Sequence, residues 1–312
     1  MRNENQMVDV IIPMYKPDAK AVLLIKKLLQ QTHQIHEIHI INTESKTFPK
    51  ELESMSDRIR ITNIKREEFD HGGTRDYGAR QSDAEYVVFM TQDALPVNEC
   101  LIKNLIAPFQ DENVAITYGR QLPNPDCKVI EKYIRSFNYP DVSCEKSIQD
   151  LERMGIKTYF CSDVCAAYRK STFEQLGGFE KKTIFNEDMI MAANTIQAGY
   201  KVFYAADAKV YHSHNYTCRE QFHRNFDLAV SQAEHPEIFN QVKSESEGIR
   251  MVKDAARYLI KIKKPWLILS LVVSSGFKYM GYAMGKHYDQ LPIGLLLRCT
   301  MNKEYWKTKK IR

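Results

Sequence analysis

Three groups of polar residues are placed where they could do chemistry. The carboxylate Asp93 follows closely on an apolar run that begins at Tyr86. Two histidines, His212 and His214, follow a second strand-like segment, and the acidic pair Glu187-Asp188 opens a helical pattern. Imidazole and carboxylate groups together bind divalent cations. A carboxylate held at the start of a helix can also remove a proton from a bound substrate.

Each group also has a plain structural interpretation. Asp93 can cap a helix that starts near Asn98, and a lone histidine is more often an ordinary core or surface residue. The acidic pair can simply complement the dipole at a helix N-terminus. The pattern His-x-His beside a predicted strand end favours the metal interpretation.

The elements that must position these residues alternate along the first half of the chain. Short apolar runs alternate with helical patterns, which predicts an α/β fold with a mostly parallel sheet flanked by helices. Ligands bind such sheets beyond the carboxyl ends of the strands, where Asp93 lies. The predicted strands are 8–14, 37–41, 59–64, 86–91 and 115–119, and the predicted helices are 18–31 and 101–109.

The pattern weakens between residues 123 and 159 and becomes regular again beyond it. Strands are predicted at 164–168 and 201–205, and helices at 171–176, 187–198, 219–231 and 248–262. We expect one catalytic domain over residues 1–230 and a helical C-terminal extension over 231–312.

The C-terminal region suggests contact with an anionic surface. From residue 261 onward the chain has eleven lysines and arginines but only two acidic residues. The segment 265–285 is apolar and aromatic, but Lys278 interrupts it before the roughly 20 residues that a spanning helix needs. It fits either a helix lying in the membrane interface or a helix packed on the core, and the basic flanks favour the membrane.

Composition narrows the setting. Seven cysteines without a CxxC pair, and no apolar segment before the first strand, indicate reduced thiols in a cytoplasm. The net charge of +5 is modest, and the basic residues cluster in the tail. No nucleic-acid-binding motif is present, so nucleic acid is not an expected partner.

Four segments, taken in order, closely resemble the inverting family-2 glycosyltransferases with a GT-A fold. The resemblance covers about residues 7–230 and rests on the combination of motifs. The segments are Val10-Ile11-Ile12-Pro13-Met14-Tyr15, the strand end with Asp93, Gly177-Gly178-Phe179 followed by Asn186-Glu187-Asp188, and Val210-Tyr211-His212-Ser213-His214.

The resemblance implies a nucleotide-diphosphate sugar as donor and Mn²⁺ or Mg²⁺ as cofactor. The family's Asp-x-Asp motif reads Thr91-Gln92-Asp93 here, so only the second carboxylate is kept. Asp93 is then the expected metal ligand, completed by His212 or His214, with His212 favoured. Asp188 maps to the base that deprotonates the acceptor, and Asp163 and Glu187 are expected on the acceptor side. Residues expected to contact the donor are Pro13, Tyr15, Thr43, Glu44, Gly73, Arg75, Thr91 and Gln92.

One further segment narrows the choice of donor sugar. Phe69-Asp70-His71-Gly72-Gly73-Thr74-Arg75 is similar to a string found in bacterial rhamnosyltransferases of this family. That resemblance implies transfer of L-rhamnose from dTDP-rhamnose to a growing cell-surface polysaccharide, on a lipid carrier at the inner face of the membrane. Alternatives are another hexose from a UDP-sugar, or a non-catalytic subunit of a polysaccharide-synthesis complex. A nucleotidyltransferase is disfavoured because the loop Met14-Tyr15-Lys16-Pro17 has no glycine.

Overall fold

The computed structural model describes residues 6–45, 47–240 and 245–309. Its strands are β1 Val8–Tyr15, β2 Glu37–Thr43, β3 Ile59–Ile64, β4 Tyr86–Met90, β5 Leu95–Pro96, β6 Val114–Leu122, β7 Cys144–Lys146, β8 Cys165–Arg169 and β9 Lys201–Tyr211. Its α-helices are α1 Ala19–Leu29, α2 His71–Arg80, α3 Leu101–Ile106, α4 Val129–Asn138, α5 Leu151–Met154, α6 Lys170–Gln175, α7 Glu187–Gln197, α8 Cys218–Glu234, α9 Pro236–Phe239, α10 Glu245–Lys261, α11 Leu267–Lys286, α12 Ile293–Cys299 and α13 Lys303–Thr308.

One sheet organises the fold, in the order β3-β2-β1-β4-β8-β6-β9-β5, with β7 paired to β9. The first four strands are parallel, whereas β8 is antiparallel to both β4 and β6. Because β6 and β9 are parallel to each other, the carboxyl ends of β1, β2, β4, β6 and β9 share one edge with the amino end of β8. The α/β fold class is confirmed, and the sheet is parallel in one half and mixed in the other.

Helices cover both faces of the sheet. On one face, α1 and α3 pack apolar residues against β1 and β4, including Leu24, Ile25 and Leu105. On the other face, α6 and α7 pack residues such as Phe173, Ile190 and Ile196 against Ile11 and Phe89. This alternation follows from the strand period of two, which sends Ile11 to the opposite face from Val10 and Ile12.

The C-terminal helices form two further apolar clusters. Phe226 and Val230 of α8 pack with residues of α12 and α13, and Leu271 of α11 packs with Ala255 and Leu259 of α10. The helical extension expected from the sequence is therefore present. Two of its basic residues, Lys310 and Arg312, lie outside the described residues.

Helices α8 and α11 approach very closely at two glycines. A Cβ atom on Gly281 would lie 2.2 Å from the carbonyl oxygen of Phe222, and one on Gly285 would lie 2.3 Å from that of Phe226. Because the residue number rises by four on each helix between the first contact and the second, α8 and α11 run parallel. This register decides which face of α11 meets the rest of the protein.

Candidate active site

The shared sheet edge brings the predicted residues together. Asp93 follows β4 by three residues, His212 follows β9 directly, and Asp163 precedes β8 by two residues. The backbone N–H of Thr91 donates to the carbonyl of Val164 at 3.2 Å, which holds the end of β4 against the start of β8. Side chains that are far apart in sequence therefore surround one opening.

Asp93, His212 and His214 form a group that can hold a metal ion. Oδ2 of Asp93 lies 3.6 Å from Nε2 of His212 and 3.5 Å from Nε2 of His214, and the two Nε2 atoms are 3.0 Å apart. Since the three ligand atoms lie within 4.8 Å of one another, a single divalent ion could contact all of them. The structure thus brings together all three predicted ligands.

Gln121, at the end of β6, orients His212. Nδ1 of His212 is 2.9 Å from Oε1 of Gln121, and the guanidinium of Arg135 donates to the same oxygen. An arginine can only donate, so this atom of Gln121 must be the acceptor. His212 therefore carries its proton on Nδ1 and presents an unprotonated Nε2, as a metal-ligating histidine must.

Electrostatics keep both imidazoles neutral. Burial lowers the pKa of His212 well below its usual value, and the charges of Arg135, His214 and Arg224 add to this. Burial also lowers the pKa of His214, although Asp93 opposes the shift. Two neutral imidazoles and one carboxylate form a donor set that suits Mn²⁺ better than Mg²⁺, which prefers oxygen ligands.

Asp188, in the first turn of α7, has the properties of a general base. Its carboxylate accepts hydrogen bonds from the backbone N–H groups of Asp163 at 3.2 Å and Met189 at 2.8 Å. Burial, and then the negative charge of Glu187, raise its pKa to about 7. A carboxyl group with a pKa near neutrality is well matched to removing a proton from a hydroxyl group. Asn186, which precedes α7 with a left-handed φ of 64°, sets the direction in which the helix begins.

Arg75 connects α2 to the acidic residues behind Asp188. One guanidinium nitrogen lies 3.1 Å from Oε1 of Glu187, and Nε lies 3.6 Å from Oδ2 of Asp163. Tyr168 donates to the other oxygen of Asp163 at 2.7 Å. Arg75, Asp163 and Glu187 are all buried, so this arrangement holds in place the residues that adjoin Asp188. The donor role of Arg75 and the acceptor roles of Asp163 and Glu187 stay predictions.

The glycines flanking this network allow α2 and the segment before α7 to touch. A Cβ atom on Gly72 would lie 2.2 Å from the carbonyl oxygen of Glu180. Gly178 has a φ of +77°, and a Cβ atom there would lie 2.0 Å from Oδ1 of Asp76. These close approaches explain why glycines occur at the start of α2 and in the Gly-Gly-Phe segment before α7. They also fix α2 beside the start of α7.

The remaining predicted donor residues lie at the ends of β1, β2 and β4. The amide of Gln92 pairs with the backbone of Tyr15, at 2.9 Å to its N–H and 3.1 Å to its carbonyl, and thereby ties the end of β1 to that of β4. Pro13 lies within β1 opposite Ile41. The Oγ1 atoms of Thr43 and Thr91 are buried and have no hydrogen-bond partner within the described part of the chain.

Two predicted donor contacts have other partners. The backbone N–H of Gly73 donates to its own helix cap, Asp70, at 2.6 Å. The side chain of Glu44 is exposed, and its backbone N–H donates to Ile64 at 2.9 Å. Neither contact tests a role in binding a donor, so both roles remain predictions.

Gln121, Arg135 and Arg224 were not predicted from the sequence as site residues. Arg224 on α8 lies over the rings of Phe185, at 4.6 Å, and Tyr216, at 5.7 Å. Its charge contributes to the lowered pKa of both His71 and His214, after burial in each case. The available signal was weak: one arginine on a helix soon after the His-x-His segment.

A mixed sheet that carries, at one edge, a group able to hold a metal ion and a carboxylate suited to removing a proton is the arrangement expected of a glycosyltransferase. The profile of "Glycosyl transferase family 2" matches residues 9–177 of the chain. The chain belongs to this family and is a glycosyltransferase.

Similar proteins extend the match to nearly the whole chain. It is 41% identical over 301 residues to the O-antigen chain rhamnosyltransferase RfbN of Salmonella typhimurium, covering 96% of both chains. It is also 41% identical over 279 residues to the O-antigen chain rhamnosyltransferase WbaN of Salmonella anatum, covering 89% of this chain and 88% of the relative. Among solved structures, the mannosyltransferase PcManGT of Pyrobaculum calidifontis, in complex with GDP-Man and Mn²⁺, is similar in fold. Its TM-score is 0.63 at 13% identity, over 93% of this chain and 90% of that one.

Proposed function

We propose that this glycosyltransferase transfers L-rhamnose from dTDP-L-rhamnose to a growing cell-surface polysaccharide. The observation that carries the proposal is the 41% identity to an O-antigen chain rhamnosyltransferase across 96% of both chains. The segment from Phe69 to Arg75 supports it, because it is similar to a string found in bacterial rhamnosyltransferases and its Arg75 lies 3.1 Å from Glu187, next to Asp188. The catalytic part would span residues 1–230, with 231–312 as the extension.

The arrangement of Asp188 suits inversion by direct displacement. The acceptor hydroxyl oxygen forms a bond to the anomeric carbon of the sugar while the bond to the diphosphate oxygen breaks on the opposite face. Asp188 takes the hydroxyl proton, and the nucleoside diphosphate leaves with the electron pair of the broken bond. A β-linked donor would therefore yield an α-rhamnosidic bond.

Asp93, His212 and His214 would hold the divalent cation, which we propose to be Mn²⁺ with Mg²⁺ as the alternative. When bound, the cation would supply positive charge to the leaving diphosphate. The fit rests on this structure's own donor set, with both imidazoles neutral and Nε2 of His212 unprotonated. The Oγ1 atoms of Thr43 and Thr91, which have no hydrogen-bond partner among the described residues, would face the nucleoside.

We further propose a cytoplasmic enzyme bound peripherally to the inner membrane face, acting on a lipid-linked glycan. Helix α11 has the length and apolar composition of a membrane-crossing helix, and only 11% of its most apolar window is buried. Its large exposed apolar residues are related by steps of three, four or seven and so form a stripe on one side, namely Leu269, Val272, Val273, Tyr279 and Met280. Trp266, 68% exposed, precedes it. Such a one-sided helix fits the membrane interface.

A donor panel tests the reaction. Purified protein with Mn²⁺ would be incubated with dTDP-rhamnose and several UDP- and GDP-sugars, with binding measured by calorimetry and release of nucleoside diphosphate measured by assay. We expect binding and slow acceptor-free hydrolysis of dTDP-rhamnose, both lost in Asp93→Ala. Preference for a UDP-sugar would instead support the alternative donor. Failure of every donor to bind would support a non-catalytic subunit.

A second experiment tests whether the apolar stripe of α11 binds a membrane surface. The triple variant Leu269→Gln, Val273→Gln, Met280→Gln should no longer co-sediment with anionic phospholipid vesicles, whereas wild type should. Val142→Gln, at a site that is 71% exposed outside α11, is the matched control. Unchanged sedimentation of the triple variant would show that the apolar stripe does not bind membranes.

A further inference from the structure

Arg224 is a half-buried cation whose neighbours are aromatic rings. Its guanidinium carbon lies 4.6 Å from the ring centroid of Phe185 and 5.7 Å from that of Tyr216. It has no hydrogen bond or ion pair with any residue in the ranges 6–45, 47–240 and 245–309. An aromatic ring attracts a guanidinium but offers no oxygen acceptor to its five N–H donors. The rings therefore hold the side chain in place and leave its donors to a bound anion.

The face of α8 that carries Arg224 packs against the segment that leads into α7. Arg224, Leu228 and Ser231 are spaced by four and three residues, so they share one side of the helix. The carbonyl of Leu228 accepts a hydrogen bond from the side-chain amide of Asn186 at 3.2 Å, and the hydroxyl of Ser231 donates to the carbonyl of Phe185 at 2.6 Å. Asn186 lies two residues before the candidate general base. Arg224 is therefore on the active-site side of α8.

The second aromatic neighbour of Arg224 connects it to the group that can hold a metal ion. The ring of Tyr216 stacks on that of His214 with 5.0 Å between the centroids, and Nε2 of His214 lies 3.5 Å from Oδ2 of Asp93. A donor with its diphosphate at this group and its anomeric carbon before Asp188 must extend from the first to the second. Arg224 is one ring away from His214 on one side, and on the other it contacts Phe185, three residues before the base. It therefore lies beside the bond that breaks.

We propose that Arg224 binds the diphosphate of the sugar donor and stabilises the charge that develops on it as it leaves. This inference rests on the proposed function, since it adds a residue to the proposed transfer reaction. When the bond between the anomeric carbon and the phosphate oxygen breaks, its electron pair stays on the diphosphate. Paired N–H donors of a guanidinium match phosphate oxygens. Because the negative charge is greater in the transition state than in the bound donor, Arg224 lowers the barrier as well as holding the donor.

The test compares a nucleoside diphosphate with the corresponding monophosphate. Full-length wild type and Arg224→Gln would be titrated by calorimetry with dTDP and with dTMP, in the presence of Mn²⁺. Arg224→Gln should weaken binding of dTDP about tenfold or more and change binding of dTMP much less. Arg224→Lys, which keeps the charge but not the paired donors, should lose less affinity. Arg219→Gln is the matched control, because this exposed arginine of the same helix has its Nε 3.3 Å from His223.

Two further measurements separate this role from a structural one. The Mn²⁺ affinity of Arg224→Gln, measured by electron paramagnetic resonance without nucleotide, should stay near that of wild type. The kcat for donor turnover should fall about 10²–10³-fold, as when one donor to a developing oxyanion is removed. A residue that only maintained the fold around His214 would weaken Mn²⁺ binding and would not distinguish dTDP from dTMP.

Several outcomes would overturn the proposal. Equal losses of affinity for dTDP and dTMP, or retained turnover in Arg224→Gln, would show that Arg224 does not contact the leaving diphosphate. Unchanged binding of dTDP with weakened binding of a short prenyl diphosphate would place Arg224 at the phosphate of a lipid-linked acceptor instead. Preference of wild type for another nucleoside would overturn the proposed donor alone. The diphosphate and monophosphate of that nucleoside would then test Arg224 in the same way.

Discussion

Oε1 of Gln121 accepts a hydrogen bond from Nδ1–H of His212 at 2.9 Å, and the hydrogen bond that Arg135 donates to the same oxygen prevents the amide from reversing. The other end of the amide donates to the hydroxyl groups of Tyr139 at 2.6 Å and Ser162 at 3.0 Å. Ser162 adjoins Asp163, whose backbone N–H binds Asp188 at 3.2 Å. One side chain thus links the group that can hold a metal ion to Asp188, the candidate general base.

Gln121→Leu should weaken Mn²⁺ binding about 10- to 100-fold, because His212 loses the acceptor that fixes its tautomer and ring orientation. The measurement is a Mn²⁺ titration followed by electron paramagnetic resonance, with no donor present. Gln110→Leu, an exposed glutamine in the turn after α3, is the matched control. Equal affinities in wild type and Gln121→Leu would show that Gln121 does not orient a metal ligand.

Asp188→Asn should lower kcat about 10²–10⁴-fold, since an amide cannot accept the hydroxyl proton. Donor affinity should stay near wild type, and Asp83→Asn, an exposed aspartate, should retain activity. In wild type the base must be deprotonated, and its pKa is raised to about 7. Consequently kcat/KM should fall about tenfold per unit below pH 7 and level off above it. A rate independent of pH from 5 to 8 would exclude Asp188 as the base.

Arg75→Gln should destabilise the protein, because Glu187 and Asp163 would be left buried without their cation. Removing one partner of a buried ion pair costs about 3–5 kcal/mol in unfolding free energy. The loss should grow as pH rises. Burial raises the pKa of Asp163 well above its usual value, and the charge of Arg75 opposes this shift. Without Arg75 the folded Asp163 should hold its proton to still higher pH than the unfolded one, so the folded state binds more protons and stability falls with rising pH.

Denaturant titrations at pH 5.5 and pH 8 would measure this difference. Arg80→Gln is the control, because its partner Asp76 lies 2.9 Å away but the arginine itself is largely exposed. A larger loss for Arg75→Gln at pH 5.5 than at pH 8 would contradict the assignment of Arg75 as the counter-charge.

Much of the fold and site follows from local sequence. The strand β3, Ile59–Ile64, has the predicted bounds, because β-branched runs bounded by turns report strands directly. The resemblance to the family implied that Asp93 binds a metal ion together with His212 or His214, and their positions after β4 and β9 fit strand carboxyl ends that meet at one edge. Helix α4 was missed, as was the continuity of β9 between the predicted strand 201–205 and the strand-like segment before His212, since proline-rich context and mixed polarity obscure the pattern there.

Tertiary packing decides what local sequence leaves open. His212 lies ninety-one residues after Gln121 in the chain. The two side chains are in contact only because β6 pairs with β9. Lys278 seemed to interrupt an apolar helix, yet α11 is continuous over 20 residues. The lysine faces the protein, while the apolar stripe remains exposed. The side on which such a residue falls depends on the Gly281 and Gly285 contacts with α8.

Gly178→Ala should destabilise the protein by about 3 kcal/mol, whereas Gly177→Ala should cost about 1 kcal/mol. Both glycines have positive φ, +89° at Gly177 and +77° at Gly178, so each alanine would pay the left-handed backbone penalty of about 1–2 kcal/mol. Only at Gly178 does the new Cβ meet a neighbour, Oδ1 of Asp76, at 2.0 Å.

Moving Asp76 away from the new Cβ at position 178 would shift helix α2. Since Arg75 is on the same helix, its contact with Glu187 would change as well. We therefore expect Gly178→Ala to lower kcat as well, measured alongside urea unfolding, while Gly177→Ala leaves kcat unchanged. Equal losses of stability in the two variants would show that backbone strain alone, and not the contact between α2 and the segment before α7, requires glycine here.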